Sequence, residues 1–325
     1  MLKITTPADF SPFDRPAIFE IADDNPAAGA GTYVDAMLED ADSGTILSAR
    51  RILIDSAAPA RFDAAPILRR AVTVRPVAGA TGLVSADECM FRVRLTVGGT
   101  RSEAVTLLST SPAEGASALV STMPARRTIR YGESDLLMYR AAEGFTATVE
   151  VHTPSGSRQF GYSWSGGGGL VTLRLRTSDF DAGAERITVR AEGAATVEYA
   201  VGPASDEGLR IAWRTAAGSI EHYTFPVVAR RTLVAGRKNI RLADGSCTVA
   251  GTGHTEAVVR SHTECASVAA AIAGIVDSPQ VWAVGQTPEG YVGLEVATGE
   301  VAMHSFGEPS IVELTVRPSQ NGVRI

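Results

Sequence analysis

The chain has 325 residues, 45% hydrophobic and 20% charged, with 30 basic and 36 acidic side chains and a formal net charge of -6. Those fractions are ordinary for a folded protein and exclude long disorder, and the length predicts two or three domains. No basic block stands out, so nucleic acid is not an expected partner, and no stretch nears ~18 uninterrupted apolar residues, so no membrane span is expected.

At the N-terminus no apolar run follows Lys3, which predicts no signal peptide and a chain made and assembled on the cytoplasmic side. Residues 16–74 hold about four strand-like runs, and a helical turn is expected over 64–70 after Phe62-Asp63. Residues 26–31 and 111–117 are rich in Ala and Gly and read as surface loops. From Phe91 onward the main signal is alternation with a period of two. Phe91, Val93, Leu95 and Val97 face one way, Arg92, Arg94 and Thr96 the other. The pattern returns at Val171-Leu173-Leu175, Ile187-Val189, Val197-Tyr199-Val201 and Val312-Leu314-Val316. Successive side chains of a strand point to opposite faces, so each segment has one buried and one wet face, as in antiparallel sheets. Gly98-Gly99, Pro154-Ser155-Gly156, Asp181-Ala182-Gly183 and Asp244-Gly245 read as turns between them. Ser261-His262-Thr263-Glu264 has the form of a capping box opening a helix over 262–276, which Asp277-Ser278-Pro279 stops.

The expected fold is therefore mainly β: two or three antiparallel β-sandwich-like domains with one short α-helix near the C-terminus. Turn-rich stretches at 76–81 and 203–208 place the divisions, giving an N-terminal β-sandwich-like domain over 1–75, a middle β domain over 76–205 and a C-terminal β domain with the helix over 206–325.

Candidate chemistry is sparse. Three cysteines, Cys89, Cys247 and Cys265, argue against a disulfide framework. Cys247, His254, His262 and Cys265 are zinc-type ligands within 19 residues, but their C-x6-H-x7-H-x2-C spacing is not a paired zinc motif. No metal and no cofactor is expected, and that cluster is the sole candidate. The glycine run 166–169 precedes a strand and has no nearby lysine, so it reads as a flexible hairpin loop and not a phosphate cradle. No Gly-x-Ser-x-Gly elbow occurs. His152, His222 and His304 sit in strand-like contexts as structural residues, and no catalytic set is expected. Tyr162 and Trp164 flank the glycine run and are candidate stacking residues for a glycan, whereas Trp213 alternates with Leu209 and Ile211 and is expected in the core.

The segment 208–225 carries the most distinctive pattern, Trp213, Gly218, Tyr223 and Phe225 in a W-x-x-x-x-G-x-x-x-x-Y-x-F hairpin. It resembles a hairpin of virion structural proteins encoded by Bacteroidetes phages and prophages. Ile275-Val276-Asp277-Ser278-Pro279-Gln280-Val281-Trp282, the closing Leu314-Thr315-Val316-Arg317-Pro318-Ser319-Gln320 and Phe62-Asp63-Ala64-Ala65-Pro66-Ile67-Leu68 are similar to further runs in those proteins. The hairpin departs from that pattern where residues 215–218 replace an Asn-x-x-Gly turn. The resemblance implies a tail, tail-tip or baseplate subunit of a virion assembled in the host cytoplasm, a homo-oligomer partnered by other virion proteins, with no catalytic residues to carry over. A carbohydrate-binding or adhesin module is the alternative.

Overall fold

The computed structural model describes residues 2–23, 31–55, 58–74, 76, 79–110, 118–216, 218–243, 245–285, 290–302 and 308–319; within them, the side chains of 142–143, 237–242 and 246–252 are not described. The loops at 26–30 and 111–117, Asp244, His304 and Gln320 lie outside the described residues.

The fold is mainly β, in four sheets. A three-stranded sheet of Leu2–Thr5, Ile18–Asp23 and Ala60–Asp63 and a sheet ordered Ser11–Pro12, Val105–Leu108, Met90–Val97, Thr32–Asp40, Ile46–Ile54 share one core. Alternation drives their packing: Phe19, Ile21 and Phe62 from one and Leu38, Val93, Leu95 and Val97 from the other are buried, while Arg92 on the opposite face is exposed. A helix, Ala65–Ala71, begins where a helical turn is expected. Asp63 starts it by accepting the N–H groups of Ala65 and Ala17, each at 3.0 Å. Because Met90–Val97 pairs with Thr32–Asp40, this unit continues across position 75, where the sequence reading divides the chain. Parting the chain there would separate hydrogen-bonded neighbours.

The middle sheet runs Arg126–Arg130, Val197–Gly202, Arg186–Ala191, Ser134–Thr153, Gly156–Arg176, Gly82–Ser85. Its two longest strands form one hairpin whose inward residues, from Leu137 to Leu175, bury a core with Ile187, Val189 and Tyr199. Gly82–Ser85 comes from the segment between the strands of the first unit and closes the edge of this sheet on residues 171–174.

The glycine run is not a loop. Residues 166–169 lie within the Gly156–Arg176 strand, with Gly167 opposite Glu143 and Gly169 opposite Ala141. Gly168 and Gly169 have φ of +72° and +124°, and a Cβ on Gly169 would stand 2.6 Å from the Met90 sulfur. The bare backbone thus lets the first unit press its Met90 and Phe10 against the middle hairpin. Phe10, at φ 58°, is the single described non-glycine residue with positive φ.

The last sheet is ordered Ile220–Phe225, Leu209–Arg214, Val281–Val284, Tyr291–Val296, Glu313–Pro318, Gly245–Arg260, Val227–Leu242. The 208–225 hairpin forms with Ile211 opposite Tyr223, and Trp213 is 1% exposed. Val312, Leu314 and Val316 share its core with the helix Ala266–Ala273. That helix is shorter than the expected 262–276, and its N-cap is Cys265, with no side-chain cap bond. The capping box does not form because its two residues are engaged elsewhere. The Ser261 hydroxyl accepts the Val312 N–H at 2.9 Å, and Glu264 accepts the Tyr223 hydroxyl at 2.6 Å.

Candidate functional site

The feature that sets this chain apart from a plain stack of sheets is the hairpin Val227–Leu242/Gly245–Arg260. At its base, Ala257, Val258 and Val259 are buried and residues 257–260 pair with Glu313–Val316 of the sheet. Beyond Glu256 the two strands pair only with each other, from Thr232 opposite Glu256 to Leu242 opposite Gly245. Eleven residues of extended strand reach about 35 Å. Residues 229–236 are exposed on both faces, including Leu233 at 71% and Val234 at 39%. A two-stranded ribbon in water is marginally stable alone, and bare strand edges are templates for another chain. The arm therefore offers both edges and an apolar side chain to a partner. Periodicity does not mark residues 229–236, since they are exposed on both faces.

A second constellation lies in the interior, between the middle and last sheets. Arg127 holds Asp135 and Glu221, each at 3.3 Å, and donates to Ser121 at 2.6 Å. The Tyr199 hydroxyl donates to Asp135 at 2.7 Å. His222 Nδ1 stands 2.9 Å from Asp135 Oδ1, close but not aligned as a straight hydrogen bond, and its Nε2 is 3.1 Å from the Tyr291 hydroxyl. Burial pushes the Asp135 carboxyl up, but His222 and the Arg127 charge outweigh it and hold it well below the usual carboxylate range. Burial raises Glu221 to about 6 against the pull of Arg127, and lowers His222. One guanidinium facing two carboxylates leaves Glu221 the less compensated. The His222 side chain is 0% exposed, so this acid–base cluster is closed to solvent. Nothing in the linear sequence announces it, because residues 127, 135, 199 and 221 meet only through the sheets.

A cleft of about 500 Å³ opens beside it, lined by Arg130, Glu133, Glu207 and Arg210 among others. Its charges are engaged with one another: Arg210 pairs with Glu133 at 3.0 Å, Thr224 donates to Glu133 at 2.8 Å, and Arg130 reaches the Glu207 carbonyl.

The zinc candidates do not converge. Cys247 and His254 lie on one continuous strand, seven residues or about 23 Å apart, far beyond a shared metal ion. The Cys247 side chain is outside those described. His254 Nε2 meets Glu256 at 3.1 Å, His262 is exposed, and the Cys265 sulfur lies 3.3 Å from the Ser267 hydroxyl. Among the described residues no group of three or more His, Cys, Asp or Glu could hold a metal. Tyr162 and Trp164 share one face of the Gly156–Arg176 strand, half-buried against the middle core. A Cβ on Gly166 would stand 2.1 Å from the Trp164 ring, so that ring lies over the glycine run. His152 sits 3.8 Å from Glu150.

No protein-family model and no curated protein matches the chain. Solved structures that align with it include the full extracellular region of plexin A4, at 10% identity and a TM-score of 0.21, and trypsin-activated alpha-2-macroglobulin from Escherichia coli, at 11% and 0.21. The alignments cover 100% and 96% of this chain but 40% and 21% of those chains, and at such TM-scores they carry no argument about fold or function.

Proposed function

We propose that the chain is a non-enzymatic structural subunit of a phage tail, tail-tip or baseplate assembly, acting through protein–protein contacts. The arm carries the contact role: a ribbon about 35 Å long, with residues 229–236 exposed on both faces, gains its burial from a neighbour and not from its own sheet. The virion setting is supported by the 208–225 hairpin and the other runs that resemble phage structural proteins. The sealed acid–base cluster fits the same reading, since groups that touch no solvent serve cohesion between sheets.

Native mass spectrometry and negative-stain imaging test the proposal, on the protein alone and co-expressed with the products of its neighbouring genes. Rings, stacks or defined hetero-complexes are expected. A strict monomer in both preparations overturns it.

A further inference from the structure

The middle hairpin carries a row of aromatic side chains that its own core leaves half-covered. Phe160, Tyr162 and Trp164 lie on one face of the Gly156–Arg176 strand, each half-buried against the middle core. Positions two apart on a strand are about 7 Å apart, so the three rings span about 13 Å. Among the described strands nothing pairs with the outer edge of this strand before residue 171, where Gly82–Ser85 begins to close it. Three atoms of the Trp164 six-membered ring would stand 2.1, 2.5 and 2.6 Å from a Cβ on Gly166. The indole therefore rests on bare glycine backbone, and a side chain at 166 would lift it off.

At the end of the row away from Trp164 lies a cleft of about 380 Å³, whose walls include Ser155, Arg158, Phe160, Asp179, Phe180 and Asp181. That is within the range of small-molecule clefts, roughly 300–1,000 Å³. The Phe160 and Phe180 rings meet there, with centroids 5.2 Å apart. The Asp179 carboxylate is engaged in its own wall, accepting from Arg176 Nε at 2.7 Å and from the Thr81 N–H at 2.6 Å. Asp181 is exposed and accepts the Gly183 N–H on Oδ1 at 2.8 Å. Its Oδ2 and the exposed Arg158 guanidinium have no partner among the described residues.

We infer that this aromatic row and the cleft at its end bind a neutral oligosaccharide. The inference goes beyond the structural-subunit reading and does not depend on it. A sugar ring has an apolar face that stacks on an aromatic ring, and a row about 13 Å long takes a chain of sugars. Its hydroxyls both donate and accept, which matches a free carboxylate oxygen and a free guanidinium lining one cleft. Charge argues for a neutral ligand: Arg158 offsets Asp181, and Arg176 offsets Asp179. A polyproline strand would also stack on aromatic rings, but it presents carbonyl acceptors only and leaves Asp181 unmatched.

The full chain is screened on an array of neutral and sialylated oligosaccharides and, separately, against decaproline, and every hit is titrated by calorimetry. Saturable binding of a neutral oligosaccharide is expected. Trp164→Ala is expected to weaken it about tenfold or more. Arg158→Ala and Asp181→Asn are each expected to weaken it about fivefold or more. Both polar changes are on exposed side chains, and Asn keeps an acceptor for Gly183. Far-ultraviolet circular dichroism checks each fold, and the two polar variants carry the test if Trp164→Ala misfolds.

Folded wild type that binds no oligosaccharide overturns the inference. So does binding that folded Trp164→Ala leaves unchanged, or that both polar variants leave unchanged. Binding confined to sialylated glycans, or to decaproline, overturns it as well. None of these results bears on self-assembly, so the structural-subunit reading stands or falls by its own test.

Discussion

Asp135 ties three buried side chains of the interior cluster together. It faces Arg127, Tyr199 and His222 at once, so Asp135→Ala leaves the buried Tyr199 hydroxyl without its acceptor and takes the carboxylate from beside His222, while Arg127 keeps Glu221. A buried polar group left without its partner costs about 1–3 kcal/mol, and urea unfolding of the variant should show a loss of at least that size. Glu221 behaves in the opposite sense. Its folded pKa of about 6 lies above its unfolded value, so the folded state holds the proton more tightly. Its support is complete below the unfolded value near ~4.3 and is withdrawn as pH rises through 6. Glu221→Gln imitates the protonated form and should gain on the wild type by about 1 kcal/mol between roughly pH 5 and pH 7. Urea unfolding at both pH values measures that gap, and a gap that shrinks toward neutrality refutes the assignment. His222, lowered by burial, loses support as pH falls below its unfolded value, but it does so in both proteins and cancels from the comparison.

Among the elements, the 208–225 hairpin depends on its first residue. Gly208 has φ +92°, and a Cβ there would lie 2.2 Å from the Phe225 carbonyl oxygen. Gly208→Ala should cost about 3 kcal/mol by forcing the two strand ends apart. Trp213→Ala, at the buried centre of the same hairpin, should cost about 3–5 kcal/mol, read from the thermal midpoint. Strands such as Met90–Val97 were legible because one face is apolar and the other charged. Residues 166–169 were not, since glycine has no side chain to display alternation and its turn preference points to a loop. The helix start was misplaced because Ser261 and Glu264 have the right chemistry for a cap but spend it on Val312 and Tyr223. The arm was hidden for a third reason: exposure of residues 229–236 on both faces leaves no period to detect there.

For the whole molecule, the core of the first unit runs on into the others, with Val120, Met138 and Leu170 of the middle unit and Ala212 and Ile220 of the last buried in it, and single polar contacts add to that cohesion. Gln280 of the last unit spans to the first, accepting the Val74 N–H at 3.3 Å and donating to the Val74 carbonyl at 3.2 Å. Gln280→Ala removes both bonds and leaves two backbone groups of the buried Val74 without them, which should cost about 1–3 kcal/mol in denaturant unfolding. Such long-range pairing is invisible in a linear reading, because 206 positions separate its ends.

The Gly82–Ser85 strand sets an order on biosynthesis. It belongs in sequence to the first unit, yet its partner, residues 171–174, leaves the ribosome some 86 or more positions later. At about 5–20 residues per second that delay is on the order of ten seconds. Throughout it a nascent chain can finish most of its first sandwich while one strand trails unpaired, so the middle sheet must capture that strand before a chaperone or a second nascent chain does.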